Sequence, residues 1–143
     1  MSKSKILTHD DSSGFEFAKE MLAGEVTAAI NFDRIQKNSA TGEYIIFEYL
    51  LCEEAQTVNP HTSHPNRYWH KNKRKFLSLW EISCDLEATL FLVNYAKKGT
   101  THEEKILVMK VLAADINGIE TENWQTSRDQ FSKWFREQNA KCL

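Results

Sequence analysis

The segment 44–52 constrains the fold most strongly, because almost every residue in it is apolar, β-branched or aromatic. This composition is typical of a β-strand. A strand with large apolar groups on both faces is usually an interior strand that is covered on both sides. We therefore predict that 44–52 lies inside a sheet with helices packed against it.

The other segments complete this prediction. Helical spacing of apolar residues predicts helices over 13–23 and 67–87, and Thr126 or Ser127 is expected to cap a last helix anchored by Phe131, Trp134 and Phe135. Alternating or apolar runs predict strands over 25–36, 89–95 and 105–113. The predicted order is helix-strand-strand-helix-strand-strand-helix. Strands interrupted by helices indicate an α/β (α+β) fold with a single mixed sheet flanked by helices.

Composition limits the classes of protein that remain. The chain has 143 residues, 41% of them hydrophobic, and a net charge of -2, so we expect one globular domain over 1–143 with a flexible N-terminus at 1–12. The polar N-terminus predicts no secretory signal, and no apolar run reaches the roughly 18 to 20 residues of a membrane span. Three scattered cysteines favour a reducing compartment, so we expect a cytoplasmic protein.

Two acidic residues fall where chemistry is expected. Asp33 lies near the end of the first predicted strand, and Glu48 lies inside the apolar run of the second. A carboxylate in such a run is costly to bury unless it is paired or binds a cation. Two converging carboxylates suit Mg²⁺ or Mn²⁺. The sequence leaves two alternatives open, in which Glu48 faces solvent or pairs with a lysine of a helix.

A basic segment opens the long predicted helix. Residues 67–75 contain no acid and carry five cationic side chains, which are Arg67, Lys71, Lys73, Arg74 and Lys75. Cations at a helix N-terminus oppose the helix dipole, but they act together with the helix amides when a phosphate binds there. Tyr68 and Trp69 are candidates for stacking on bases. The alternative is a solvated basic turn neutralised by Glu53, Glu54 or Glu81.

With these acids and this order of elements, residues 13–112 resemble the PD-(D/E)XK nuclease superfamily, whose fold is restriction-endonuclease-like. In that family an acid at a strand end is followed on the next strand by Glu-x-Lys, as Asp33 is followed here by Glu48-Tyr49-Leu50. The resemblance implies that Asp33 and Glu48 hold Mg²⁺ or Mn²⁺ with help from Glu20. It also implies that Lys75 of the following helix stabilises charge on the phosphate.

The sequence departs from the family at Leu50, which stands where the motif has its lysine. The resemblance therefore implies two functions. One is a metal-dependent nuclease-like hydrolase in which Asp33, Glu48 and Lys75 are catalytic. The other is a non-catalytic binding module of the same fold, for nucleic acid or a protein partner. Where the partner is nucleic acid, Arg67, Trp69, Lys71, Lys73 and Arg74 are expected to contact it. A third interpretation, a homo-oligomeric α+β protein without a nucleic-acid role, stays open.

Overall fold

A five-stranded mixed sheet forms the centre of the molecule. The structure, a computed structural model, describes residues 11–143. The strands are β1 (Arg34–Lys37), β2 (Tyr44–Leu51), β3 (Thr89–Tyr95), β4 (Lys105–Asp115) and β5 (Gly118–Ser127). They lie in the order β1-β2-β3-β4-β5, with β2 and β3 parallel and the other neighbours antiparallel. The predicted class of fold and the interior position of β2 are therefore confirmed.

Three helices accompany the sheet. They are α1 (Asp11–Leu22), α2 (Trp69–Asp85) and α3 (Arg128–Ala140), and a short 3-10 helix, Pro65–Tyr68, precedes α2. The Ser127 hydroxyl accepts a hydrogen bond from the Gln130 N–H, so the predicted cap of the last helix is confirmed. Of the predicted flexible N-terminus, residues 1–10 lie outside the described part of the chain, whereas Asp11 and Ser12 begin α1.

The alternation of side chains along β2 and β3 builds a core on each face of the sheet. One face packs against α2 and contains Ile46, Leu90 and Leu92 together with residues of the helix, Trp69, Phe76 and Leu79. The other face contains Phe47, Phe91 and Val93 and packs against the three aromatic residues of α3, Phe131, Trp134 and Phe135. Any polar side chain at an even-numbered position of β2 therefore points toward α2.

Two elements differ from the prediction. The strand predicted over 25–36 is confined to β1, and Val26 is 83% exposed, because residues 26–33 have no paired strand that would bury one face of the alternation. The second difference is β5, which adds a strand before α3 and was not predicted. Its sequence is mostly polar because it lies at the edge of the sheet, with only Ile119 buried.

The long loop between β2 and α2 runs beside β5. The His61 ring contacts the Thr126 carbonyl oxygen, and His64 Nε2 lies 2.9 Å from Thr121 Oγ1. Asn66 makes two hydrogen bonds of 2.9 Å with the backbone of Ile119. The loop therefore covers an edge strand whose backbone groups would otherwise be open to another chain.

Within residues 11–143, every helix is too short or too polar to cross a lipid bilayer.

Candidate functional site

Glu48 is a carboxylate in the interior of the sheet. It is 3% exposed and lies on β2, on the face that packs against α2. Ile46 and Leu50, two residues to either side, pack with the apolar cluster of that face. A carboxylate in these surroundings loses most of its hydration, so its negative charge has to be balanced by nearby groups.

Lys75 supplies that balance from α2. Its Nζ lies 2.7 Å from Glu48 Oε1, and this is the one ion pair found among residues 11–143. The lysine side chain is 50% exposed, whereas that of Glu48 is 4% exposed. Of the alternatives left open by the sequence, pairing with a helix lysine is therefore correct. The lysine concerned is also the one that the family resemblance placed at the site.

Asp33 joins Glu48 through the β1–β2 hairpin. The register pairs Arg34 with Phe47, so Asp33, one residue before β1, comes opposite Glu48. Its Oδ2 accepts a hydrogen bond of 2.8 Å from the Tyr49 N–H. Asp33 therefore begins the strand instead of ending it, but it still reaches the same part of β2.

The electrostatics of Glu48 reflect opposing influences. Burial raises the pKa of its carboxyl above the ordinary value, the hydrogen bond and charge of Lys75 lower this pKa, and the negative charge of Asp33 raises it. The net direction is upward. A cation near both carboxylates would relieve the burial cost and the repulsion together.

One oxygen of Glu48 is unused. Its Oε2 is buried and has no hydrogen-bond partner among the described residues, although Oε1 is paired with Lys75. A buried carboxylate oxygen without a partner is unusual and is able to bind a cation. Together with Asp33 it offers the hard oxygen donors that Mg²⁺ and Mn²⁺ prefer.

The predicted third acid does not join this pair. Glu20 is exposed on α1, and no group of three or more histidine, cysteine, aspartate or glutamate side chains suited to a metal occurs within residues 11–143. A cation at Asp33 and Glu48 would therefore complete its shell with water and phosphate oxygens, as Mg²⁺ commonly does.

Leu50 occupies the position at which the resemblance places a lysine. It lies on the same face of β2 as Glu48 and packs against the apolar cluster. A lysine at position 50 would place its ammonium group against that cluster. Lys75 instead reaches Glu48 from α2, the helix that packs on this face of the sheet. The lysine of the site therefore comes from the helix.

A cleft of about 520 Å³ runs beside α2, and we call it the cationic cleft. Its walls are the extended segment 26–31 and five residues of α2, which are Lys71, Asn72, Arg74, Lys75 and Ser78. Lys71 and Arg74 are exposed, and within residues 11–143 neither has a carboxylate at salt-bridge distance. Glu54, one of the acids expected to neutralise the segment, instead accepts hydrogen bonds from Thr101.

The other predicted contacts to nucleic acid divide into two groups. Arg67 and Lys73 are exposed but lie outside the walls of the cationic cleft. Trp69 is 3% exposed, stacks on Phe76 with ring centroids 5.8 Å apart, and donates its ring N–H to the Ile116 carbonyl oxygen. A base cannot reach this ring, so the predicted stacking role of Trp69 does not agree with its position in the core.

Two asparagines that line cavities were not predicted from the sequence. Asn72 of α2 lines the cationic cleft and also a second cavity, at the carboxyl ends of β2 and β3, to which Asn94 contributes. The signal for Asn94 was the same as for Glu48, since it is a polar residue inside an apolar strand. For Asn72 there was no signal, because a polar residue is ordinary on a helix.

Comparison of the chain with protein-family models, with curated proteins and with solved structures finds no match.

Proposed function

We propose that this chain is a metal-dependent nuclease-like protein that acts on phosphodiester bonds of nucleic acid. The observation that carries the proposal is Glu48, a buried carboxylate with one oxygen on Lys75 and the other without a partner, beside a second acid. Residues whose pKa is perturbed by burial and by a specific charged partner are candidates for functional sites, and the partner of Glu48, Lys75, lines the cationic cleft.

Asp33 and Glu48 are the residues that would hold the cation. When bound, Mg²⁺ or Mn²⁺ supplies positive charge that polarises a phosphoryl oxygen and makes water a better nucleophile. The sheet fixes both carboxylates, because Glu48 belongs to an interior strand and Asp33 is tied to the Tyr49 N–H. Rigid placement of this kind is what a catalytic cation requires.

Lys75 has two tasks in this proposal. The hydrogen bond and charge of its ammonium lower the pKa of the Glu48 carboxyl and so oppose the burial that raises it. Because half of the lysine side chain is exposed, the same ammonium is accessible to a phosphate in the cationic cleft. Charge developing on that phosphate would be stabilised by an already positioned cation.

Lys71 and Arg74 would hold the sugar-phosphate backbone. They line the cationic cleft next to Lys75 and have no competing carboxylate at salt-bridge distance within the described residues. Contacts of this type position nucleic acid without reading its sequence. We therefore expect cleavage or binding with little dependence on base sequence.

A second candidate function is a non-catalytic nucleic-acid binding module. It is favoured by the ion pair itself, because Lys75 already neutralises Glu48 and only one other acid approaches it. In this case the cationic cleft binds the backbone and the ion pair is structural.

A cleavage assay distinguishes the nuclease-like function from the non-catalytic binding module. Purified protein is incubated with single-stranded and duplex DNA and RNA, with Mn²⁺, Mg²⁺ or a chelator, and calorimetry measures Mn²⁺ binding. We expect cation-dependent cleavage, with cleavage and Mn²⁺ binding both lost in Glu48→Gln. Glu122→Gln, an exposed acid on β5, is the matched control and should behave as wild type.

Cation-independent binding without cleavage would select the binding module. Neither binding nor cleavage at low ionic strength would reject both functions.

A further inference from the structure

A second cavity adjoins the cationic cleft, and we call it the Asn94 cavity. It measures about 340 Å³, within the range of about 300 to 1,000 Å³ usual for small-molecule sites. Leu50, Leu51 and Val58 form its apolar wall, and Cys52, Tyr68 and Asn94 bring polar groups to it. Asn72 belongs to both the cavity and the cleft.

Asn94 presents an unused acceptor. The residue is fully buried, and its Nδ2 donates to the carbonyl oxygens of Pro60 and Ser63. Two carbonyl acceptors fix the orientation of the amide, because only its nitrogen can donate. Its Oδ1 has no hydrogen-bond partner among the described residues. An acceptor left without a partner is costly, and Asn94 is one of the residues that line the cavity.

The cavity is electrically neutral. None of the residues that line it within the described chain is an acid, lysine, arginine or histidine. Burial raises the pKa of the Cys52 thiol and raises that of Tyr68 to about 12, so both groups are protonated at neutral pH. The cavity therefore suits an uncharged, partly apolar ligand with N–H groups, and the adjoining cleft suits an anion.

We infer that the Asn94 cavity receives one unstacked nucleobase of a strand whose phosphates lie in the cationic cleft. A nucleobase combines an apolar face with N–H donors, and in a strand it is joined to a phosphate, which matches the neutral cavity and the cationic cleft that share Asn72. Bases taken out of the stack are read by such pockets. This inference rests on the proposed contact with nucleic acid, but it does not require cleavage.

The test uses single-stranded oligonucleotides that carry 2-aminopurine at successive positions and a separate fluorophore at one end. Binding to the full chain, in chelator so that no cleavage occurs, is followed by anisotropy of the end label. We expect a several-fold rise in 2-aminopurine emission at one position, with that base protected from acrylamide quenching.

Two variants fill the cavity, Val58→Trp in its wall and Gln56→Trp at an exposed lining position, and Thr57→Trp, exposed and outside the lining, is the matched control. Both filling variants should bind the strand but lose the emission rise, and the control should keep both. Binding without a protected base, or a rise that the filling variants retain, would overturn the inference and leave the proposed function intact. No binding by the folded wild type would overturn both.

Discussion

Lys75 of α2 and Glu48 of β2 form an ion pair, with 2.7 Å between Nζ and Oε1, in which one partner is half exposed and the other is buried. The pair connects α2 to the sheet, and its lysine is also one of the residues that line the cationic cleft. Because of this asymmetry, the lysine can be removed or turned outward more easily than the glutamate. The stability and the proposed chemistry of the site therefore both depend on the charge of Glu48.

Lys75→Met should destabilise the fold at neutral pH. It leaves an unpaired charge in the core, and we expect a loss of about 1 to 3 kcal/mol in the free energy of unfolding, less than for a fully buried pair because Lys75 is half exposed. Near pH 4 the loss should shrink, since Glu48 is then protonated. Urea denaturation at both pH values measures it. Lys73→Met, an exposed lysine of the same helix, should cost less than about 0.5 kcal/mol, and an equal loss in both variants would contradict the ion pair.

The raised pKa of Glu48 predicts a pH dependence of stability with a definite sign. In the window between the ordinary glutamate pKa and the raised one, the folded state binds more protons than the unfolded state. The contribution of Glu48 to stability is therefore present below this window and is lost as pH rises through it. Denaturation of wild type and Glu48→Gln across the acidic range isolates this term, and wild type should lose stability relative to the variant as pH rises. A relative gain by wild type would mean that pairing with Lys75 outweighs burial.

Much of the site could be predicted because Glu48 interrupts an otherwise apolar strand. A polar residue in such a position needs a local explanation, and the explanation here is Lys75 and Asp33. The position of Asp33 relative to its strand was harder to predict, because the alternation over 26–32 resembles that of a strand. Whether a strand forms depends on a long-range partner, and pairing with β2 begins only at Arg34.

Trp69 and β5 show two further limits of sequence reasoning. An aromatic residue beside cations is read as an exposed stacking group, but Trp69 and Phe76 are seven residues apart and share the buried face of α2. The seven-residue spacing could be read from the sequence, but the charged residues around Trp69 favoured the interpretation as an exposed residue. For β5 the pattern is weak, because an edge strand buries little and only Ile119 of its ten residues is buried.

The cationic cleft predicts a salt dependence that distinguishes lysines on the same helix. Each backbone phosphate contact adds about 0.9 to the slope of log affinity against log salt for duplex DNA. Lys71→Ala with Arg74→Ala should flatten the slope by about two units, since both residues line the cleft. Anisotropy titrations over a range of salt concentrations measure the slope. Lys73→Ala, outside the cleft, should change the slope by much less, and a change as large as that of the double variant would place the phosphates elsewhere.

Asn66 and Gly118 predict a non-additive double mutant at the edge of the sheet. The Asn66 amide bonds both backbone groups of Ile119, and a Cβ on Gly118 would lie 2.9 Å from Asn66 Oδ1. Asn66→Ala should cost about 1 to 3 kcal/mol because it leaves the Ile119 backbone without its partners. Gly118→Ala should also destabilise, because the amide has to move out of its hydrogen bonds to make room for the methyl group.

In the double variant the clash is gone, so the combined loss should be smaller than the sum of the two single losses, with a coupling of about 0.5 to 3 kcal/mol. Urea denaturation of wild type, the two single variants and the double variant gives the four free energies of unfolding from which this coupling is calculated. Thr62→Ala, an exposed position in the same loop whose hydroxyl bonds only within the loop, serves as the reference for a loop substitution that does not touch β5. Additive losses at Asn66 and Gly118 would show that the loop does not hold β5 through this amide.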